Sequence, residues 1–378
     1  MLGGRSPWLL GAWLALAGCR RVDPNAARCR QAWVQEGAVT LQRCPLPPVT
    51  IGHECGERCR QLSRVGNFPT ASDGWCLTSR AAWWTAEGNL YRLNLADGAS
   101  ASVLGPPSGP LRVSATGVGC HGDDVLFTAT TPAGTRVDLV ARFRDGDPEA
   151  RVLWRDAPPR RDDPPPEHPA LSAQWVAWSW SVAVPGVWAL NPPSNVAFPV
   201  RMDVRPAGPL SADGALLVLQ AGSTVENARP QEGSRPVAPT GNAQWSPSAA
   251  HGLLAWVDQR DNPAGTLDAP RDPRVYLYDL DRRALRRLSG GPPAWRGSPH
   301  VGERWVVWVD ARRDPHPDRG PDAAYTRVEV WGYELSTGTE RALATDTVAY
   351  APRTAGTRLY FVSPSDGTRR DLYEQELP

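Results

Sequence analysis

Leu254-Ala-Trp-Val-Asp-Gln-Arg260 recurs in the chain as Val306-Val-Trp-Val-Asp-Ala-Arg312, and this pair is the strongest indication of the fold. Each copy follows a Ser-Pro segment, Ser246-Pro247 or Ser298-Pro299. Each copy also continues through a loop rich in Asp and Pro into a second alternating run, a polar turn and a last short run. Alternating bulky residues over short runs are typical of buried strands. The pair therefore predicts a repeated unit of four short strands.

Weaker copies of this unit extend over most of the chain. The central aromatic of the repeat, or an aliphatic residue in its place, occurs at Trp84, Phe127, Trp178, Leu219, Trp256, Trp308 and Phe361. Successive positions are 43, 51, 41, 37, 52 and 53 residues apart. Seven four-stranded units of roughly this period predict an all-β chain folded as a single β-propeller. Six blades is the alternative count.

The seventh unit supplies only about three strands before the chain ends at Pro378. A segment before the first unit, Arg58-Cys-Arg-Gln-Leu-Ser-Arg64, is similar to the missing last strand. We therefore expect this N-terminal strand to complete the seventh blade and to close the ring.

The repeat resembles that of TolB-type, WD40-like β-propellers. In that family a strand ends in Asp near a basic residue, and the next strand reads I/V-Y-x-Y/M-D-L. Trp256-Val-Asp-Gln-Arg260 and Val275-Tyr-Leu-Tyr-Asp-Leu280 match both parts. The resemblance implies the fold of about 320 residues and little about activity, because propellers carry many unrelated functions.

The N-terminus has the features of an export signal. Arg5 precedes an apolar stretch from Trp8 to Ala17, which has the length of a signal-peptide core and is too short to span a bilayer. Leu16-Ala-Gly-Cys19 resembles the bacterial lipobox, in which the cysteine carries the lipid and becomes the first mature residue. Arg20 follows where an acidic residue favours inner-membrane retention in that family. We expect outer-membrane anchoring through Cys19.

These features divide the chain into a signal peptide (1–18), a cysteine-containing tether and extension (19–56) and the propeller (57–378). Export places the other six cysteines in an oxidising compartment, where an even number predicts up to three disulfides. They are Cys29, Cys44, Cys55, Cys59, Cys76 and Cys120. Cys76 and Cys120 occupy nearly equivalent places in adjacent blades, so we expect them to pair.

Bulk charge excludes one class of partner. The chain has 41 basic and 40 acidic residues, a net charge of +1, so no overall field attracts nucleic acid. We expect a monomer that contacts the membrane only through its anchor.

The polar motifs do not indicate a metal, cofactor or catalytic site. Asp258 with Arg260, and Asp310 with Arg312, stand at the same offset in the two clear repeats, which favours structural Asp–Arg clasps over an ion site. His168 and His300 stand beside prolines of the presumed inner strands and can line the channel, but their offsets differ. We therefore predict no metal, no cofactor and no catalytic set.

A binding or scaffold role at the cell envelope fits these features, with a protein or glycan as partner. The alternative is a polysaccharide lyase or hydrolase with its site in the channel.

Overall fold

The computed structural model describes residues 34–35, 37–41, 44–46, 59–63, 65–71, 74–104, 113–131, 136–158, 163–182, 184–192, 196–202, 210–229, 232–262, 272–318, 324–366 and 369–378. All regular elements of this part of the chain are β-strands. It contains no helix of the length and hydrophobicity needed to cross a membrane.

Four short strands precede the first blade. They are β1 Val34–Gln35, β2 Ala38–Thr40, β3 Cys44–Pro45 and β4 Cys59–Gln61. The first three blades then follow in chain order, each from its inner to its outer strand. Blade 1 contains β5 Trp75–Leu77, β6 Ala81–Ala86, β7 Asn89–Asn94 and β8 Ser100–Ser102. Blade 2 contains β9 Ser114–His121, β10 Asp124–Thr130, β11 Asp138–Arg144 and β12 Glu149–Asp156. Blade 3 contains β13 Glu167–Leu171, β14 Val176–Val182, β15 Val184–Leu190 and β16 Ala197–Met202.

Blades 4 to 7 continue the same order. Blade 4 contains β17 Ser211–Asp213, β18 Leu216–Ala221, β19 Thr224–Arg229 and β20 Gly233–Pro236. Blade 5 contains β21 Gln244–Ala250, β22 Leu253–Asp258, β23 Arg274–Asp279 and β24 Ala284–Arg287. Blade 6 contains β25 Arg296–Val301, β26 Trp305–Asp310, β27 Glu329–Glu334 and β28 Thr339–Ala344. Blade 7 contains β29 Tyr350–Ala355, β30 Arg358–Asp366 and β31 Arg369–Glu376. The seven sheets confirm the predicted propeller and its count of seven blades.

The ring is closed by the N-terminal strand, as the sequence predicts. Strand β4 pairs antiparallel with β31 and supplies the fourth strand of blade 7, with Gln61 opposite Tyr373. Beside this pairing, the buried Asp371 accepts hydrogen bonds from Gln61 Nε2, Ser63 Oγ and the Gly66 amide at 3.0–3.1 Å. The two ends of the chain are therefore joined by both backbone and side-chain bonds.

Hydrophobic clusters between neighbouring blades form the core. Blades 7 and 1 share one of them, which joins Phe68, Trp75 and Trp84 to Tyr360 and Leu372. The central residues of the repeat are almost wholly buried in all seven units, as packing between sheets requires. Residues at alternate positions of each middle strand thus face the two neighbouring blades.

The segment before the propeller contributes more than a tether. Strand β2 pairs with the outer strand of blade 2, β1 pairs with β2, and β3 pairs with the outer strand of blade 1. Val39 and Leu41 are buried in the core between these two blades. These strands are not predictable from the sequence, because runs of two or three residues contain no periodic pattern.

Candidate functional site

A cavity of about 370 Å³ lies on the propeller axis and is lined by residues of the inner strands. Its volume falls within the range of small-molecule pockets, roughly 300–1,000 Å³. We call this cavity the axial pocket. It is the concave feature to which all seven blades contribute.

A repeated backbone bulge shapes its wall. His168, Ser246, Ser298 and Ala351 have φ between 44° and 52° and occupy matching places in the inner strands of blades 3, 5, 6 and 7. Each one precedes a proline, and the strand register shifts at each of these sites. A left-handed conformation is uncommon for residues other than glycine, and bulges re-aim the side chains that follow. The prolines after the four bulges, Pro169, Pro247, Pro299 and Pro352, all line the pocket.

One position of the inner strand faces the pocket in every blade. It lies eight residues before the central residue of the repeat and is occupied by Cys76, Gly119, Ala170, Ser211, Ser248, His300 and Arg353. We call these seven residues the deep ring. Its members differ in chemistry although their places in the fold are equivalent. The polar members cluster in blades 4 to 7.

The same position also links each of several blades to the next. Ser211 Oγ accepts a hydrogen bond from the Ala249 amide at 2.8 Å, and Ser248 Oγ accepts one from the Val301 amide at 3.1 Å. His300 Nδ1 accepts a longer bond, 3.4 Å, from the Thr354 amide. Each acceptor residue lies eight positions before the central residue of its own blade. Each amide donor lies seven positions before the central residue of the next blade.

The predicted disulfide occupies the same relation between blades 1 and 2. Cys76 is bonded to Cys120, with a Cα–Cα distance of 5.6 Å, which confirms the expected pair. Cys44 and Cys59 are also in disulfide bonds. Cys19, Cys29 and Cys55 lie outside the described residues, so lipidation of Cys19 stays a prediction.

Electrostatics within the deep ring are dominated by Arg353 and His300. The Arg353 guanidinium carbon lies 5.2 Å from the centroid of the Trp75 ring, which also lines the pocket. Burial, and then the positive charges of Arg353 and His251, lower the pKa of His300 well below its ordinary value. His300 is therefore neutral at neutral pH. Because its Nδ1 accepts from the Thr354 amide, the ring proton belongs on Nε2.

Three side chains near the ends of inner strands form the pocket mouth: His121, Asp213 and His251. His251 and Gly252, with φ of 55° and 73°, make the two-residue turn between β21 and β22, the conformation of a type I′ hairpin. Asp213 Oδ2 accepts a hydrogen bond from the Gly252 amide at 2.7 Å. The mouth thus combines two exposed imidazoles with one carboxylate that is already bonded to the neighbouring blade.

The Asp–Arg motifs do not line the pocket. Asp258 accepts bonds from Gln244 Nε2, Trp256 Nε1 and Arg260, and its side chain is wholly buried. Asp310 is bonded in the same way by Trp308 Nε1, Arg296 and Arg312. Because the chain's own donors surround both carboxylates, these groups brace blades 5 and 6 where each middle strand ends.

The structure separates the two histidines that the sequence placed beside prolines. His300 lines the pocket, whereas His168 stands at a bulge and its neighbour Pro169 lines the pocket instead. The described residues contain no group of three or more His, Cys, Asp or Glu side chains suited to a metal ion. Arg353, Ser211 and Ser248 were not predicted as pocket residues, although each lies eight positions before a central residue of the repeat.

Comparison with known proteins shows the fold. No protein-family model and no curated protein matches the chain. The chain is similar to an oligogalacturonate lyase solved in complex with manganese, at 13% identity and a TM-score of 0.57, over 92% of this chain and 98% of that one. It is also similar to the RRP9 WD40 repeats, at 14% identity and a TM-score of 0.55, over 87% and 100% of the two chains.

A chain of the mitotic checkpoint complex is a third similar structure, at 14% identity and a TM-score of 0.50, over 89% of this chain and 97% of that one. The three proteins differ in function, and identities this low indicate a shared architecture alone. The residues of the pocket are therefore the part of the molecule that bears on function.

Proposed function

We propose that this chain is an envelope-anchored binding module that recognises a protein or glycan partner through the mouth of its axial pocket. The observation that supports the proposal is that polar side chains from several blades converge on one cavity. His300, Arg353 and Ser248 belong to the deep ring. His121 and Asp213 lie at the mouth. A concave site with a few convergent polar groups is where a ligand gains both burial and specificity. The chain acts as a monomer in this proposal.

Tethering at the membrane is part of the proposal and rests on the lipobox at Cys19. A Cys19→Ser variant should move the protein from the membrane fraction to the soluble fraction, and mass spectrometry of the wild-type N-terminus should find acyl chains. An unmodified Cys19, or a variant that stays in the membrane fraction, would contradict this part.

The binding role is tested by capturing partners from native envelopes with the tethered protein. We expect His121→Trp to remove the captured partner, because a bulky ring at the exposed mouth obstructs entry. Ala284→Trp is the matched control, since it adds the same ring to the exposed outer strand of blade 5. Capture that is unchanged in His121→Trp, or lost equally in both variants, would contradict a site at the pocket mouth.

A second candidate is a polysaccharide lyase or hydrolase acting in the same pocket. The observation that favours it is the neutral His300 in the pocket wall, since its Nε2–H can donate a hydrogen bond to negative charge that develops on a substrate oxygen. Metal analysis of the purified protein and the release of reducing ends from polysaccharides distinguish the two. A stoichiometric transition metal, or turnover that is lost in His300→Gln, would favour the enzyme over the binding module.

A further inference from the structure

We infer that the Cys76–Cys120 disulfide is a reactive site for small thiol compounds, which enter the axial pocket and form a mixed disulfide with Cys120. The step is a thiol–disulfide exchange, in which a thiolate attacks one sulfur of the bond and the other sulfur leaves. This chemistry is separate from the proposed binding of a partner, because it requires only that a small molecule reach one bond in the pocket wall.

The bond lies in the wall of the cavity. Cys76 and Cys120 both line the axial pocket, whose volume of about 370 Å³ is large enough for a small molecule. The next residue of the strand, His121, is exposed at the mouth, so Cys120 lies one residue from the opening. A small thiol that enters the pocket can therefore reach the disulfide while the protein stays folded.

The two cysteines differ in accessibility. Cys76 has an exposed fraction of 7%, whereas Cys120 is half-buried. Exchange depends on access to the attacked sulfur, so the incoming thiolate forms its bond with Cys120 Sγ. The bond between the two cysteines breaks, and Cys76 leaves as a thiolate that takes a proton from water. The reverse attack by the Cys76 thiolate restores the disulfide and releases the small thiol.

Blades 1 and 2 are also joined by contacts other than this bond. The buried Asp145 of blade 2 accepts hydrogen bonds at 2.9–3.3 Å from two nitrogens of Arg92 and from Thr78 Oγ1, both in blade 1. Trp83 and Phe143 pack edge to face across the same interface, with ring centroids 5.1 Å apart. These contacts hold the two blades together when the disulfide opens.

Other pairs of blades show that a covalent bond is not required at this position. Ser211, Ser248 and His300 occupy the place of Cys76 in blades 4, 5 and 6, and each accepts a hydrogen bond from the next blade. The ring is closed with these non-covalent links in place. We therefore expect the exchange to be reversible in the folded protein.

The first test reduces the folded, full-length wild-type protein with 2-mercaptoethanol at pH 8, followed by alkylation at intervals and peptide mapping. We expect Cys76 and Cys120 to be alkylated about tenfold faster, or more, than Cys44 and Cys59. Cys44 and Cys59 are the internal control, because both are disulfide-bonded, buried and outside the pocket lining. Circular dichroism should show that the fold is retained. Reduction of Cys76 and Cys120 no faster than of the control cysteines, or only during unfolding, would overturn the inference.

The second test separates the two sulfurs. Cys76→Ser leaves Cys120 as a thiol, and Cys120→Ser leaves Cys76. The remaining thiolate attacks bis(2-hydroxyethyl) disulfide, forms a mixed disulfide and releases 2-mercaptoethanol. We expect the adduct to form on Cys120 about tenfold faster, or more, than on Cys76, because Cys120 is the more accessible cysteine. Equal rates, or a faster reaction at Cys76, would contradict attack at Cys120.

The third test asks whether the reagent enters by the mouth. In the Cys76→Ser background, His121→Trp should slow formation of the adduct on Cys120, because the added ring obstructs the mouth. Ala284→Trp in the same background is the matched control on the exposed outer strand of blade 5. Rates that are equal in these two variants would overturn entry through the pocket. No partner is used in any of these measurements, so they can fail while the proposed binding of a partner stands.

Discussion

In blades 1, 4, 5 and 6, the residue eight positions before the central residue joins its blade to the next one, by a different chemical group in different blades. Cys76 bonds covalently to the next blade, whereas Ser211, Ser248 and His300 accept hydrogen bonds from it. At Gly119 a side chain has no space, because a Cβ would lie 2.4 Å from the Pro169 carbonyl oxygen. One position in the repeat therefore sets both the contact between blades and the lining of the pocket.

This equivalence predicts an engineered cross-link. Ser248→Cys with Val301→Cys should form a disulfide between blades 5 and 6, because the two positions repeat the relation of Cys76 to Cys120. The bond should raise the thermal midpoint of the oxidised protein, as disulfides typically contribute about 2–4 kcal/mol. Mass spectrometry without reduction checks the bond, with the single-cysteine variants as controls. Persistence of two free thiols under an oxidant would show that the positions are not equivalent.

His300, which is half-buried in the pocket wall, predicts how stability depends on pH. Its pKa in the folded protein is well below that of the unfolded chain, through burial and the nearby Arg353 and His251, so the unfolded state binds more protons. The free energy of unfolding should therefore decrease as the pH falls below the pKa of histidine in the unfolded chain, about 6.5. The decrease should be about 1.4 kcal/mol for each pH unit between that pKa and the lower pKa of His300 in the folded protein. Thermal midpoints between pH 7.5 and 5 measure this slope. His300→Gln should flatten it, whereas His121→Gln at the mouth should not; a slope unchanged in His300→Gln would contradict the assignment.

Among the elements, strand β4 has a role that the other outer strands do not share. It joins residues about 310 positions apart and completes blade 7, while the backbone of β24 in blade 5 pairs with β23, the strand that precedes it in sequence. Strand β4 thus closes the ring and also forms the outer edge of blade 7.

Replacing 59–61 with a Gly-Ser linker should therefore lower the thermal midpoint strongly and broaden unfolding, because the ring then opens between blades 7 and 1. The same replacement of 284–287, which are exposed residues of an outer strand, should have a much smaller effect. Circular dichroism melts of the two variants make the comparison. Equal decreases in the thermal midpoints of the two variants would mean that β4 contributes only as an ordinary edge strand.

The elements also show what the sequence could predict. Alternating runs around Trp256 and Trp308 identify middle strands, and their spacing predicts seven blades, because buried strands need regular apolar positions. Closure by Arg58–Arg64 follows from the missing last strand of the seventh unit. Strands β1 to β3 and the bulges before Pro169 and Pro352 were missed, since short added strands and a left-handed residue before proline are set by tertiary contacts.

In the complete ring of seven blades, the residues of the axial pocket were harder to predict from the sequence than the fold. The ring brings together His121, Ser248 and Arg353, which lie more than 100 residues from one another in sequence. None of them belongs to a local motif, so only the closed arrangement of seven inner strands shows that they share one cavity. The Asp–Arg motifs, which are prominent in sequence, lie outside that cavity.

In the proposed function, a partner enters the axial pocket at its mouth. Photo-crosslinking in native envelopes tests it most directly, with a photoreactive phenylalanine analogue at position 121 or, as control, at position 284 on the outer strand of blade 5. We predict that position 121 gives a specific cross-linked partner that position 284 does not give. A partner that cross-links from position 284 and not from position 121 would contradict the account and place binding on the outer rim of the propeller.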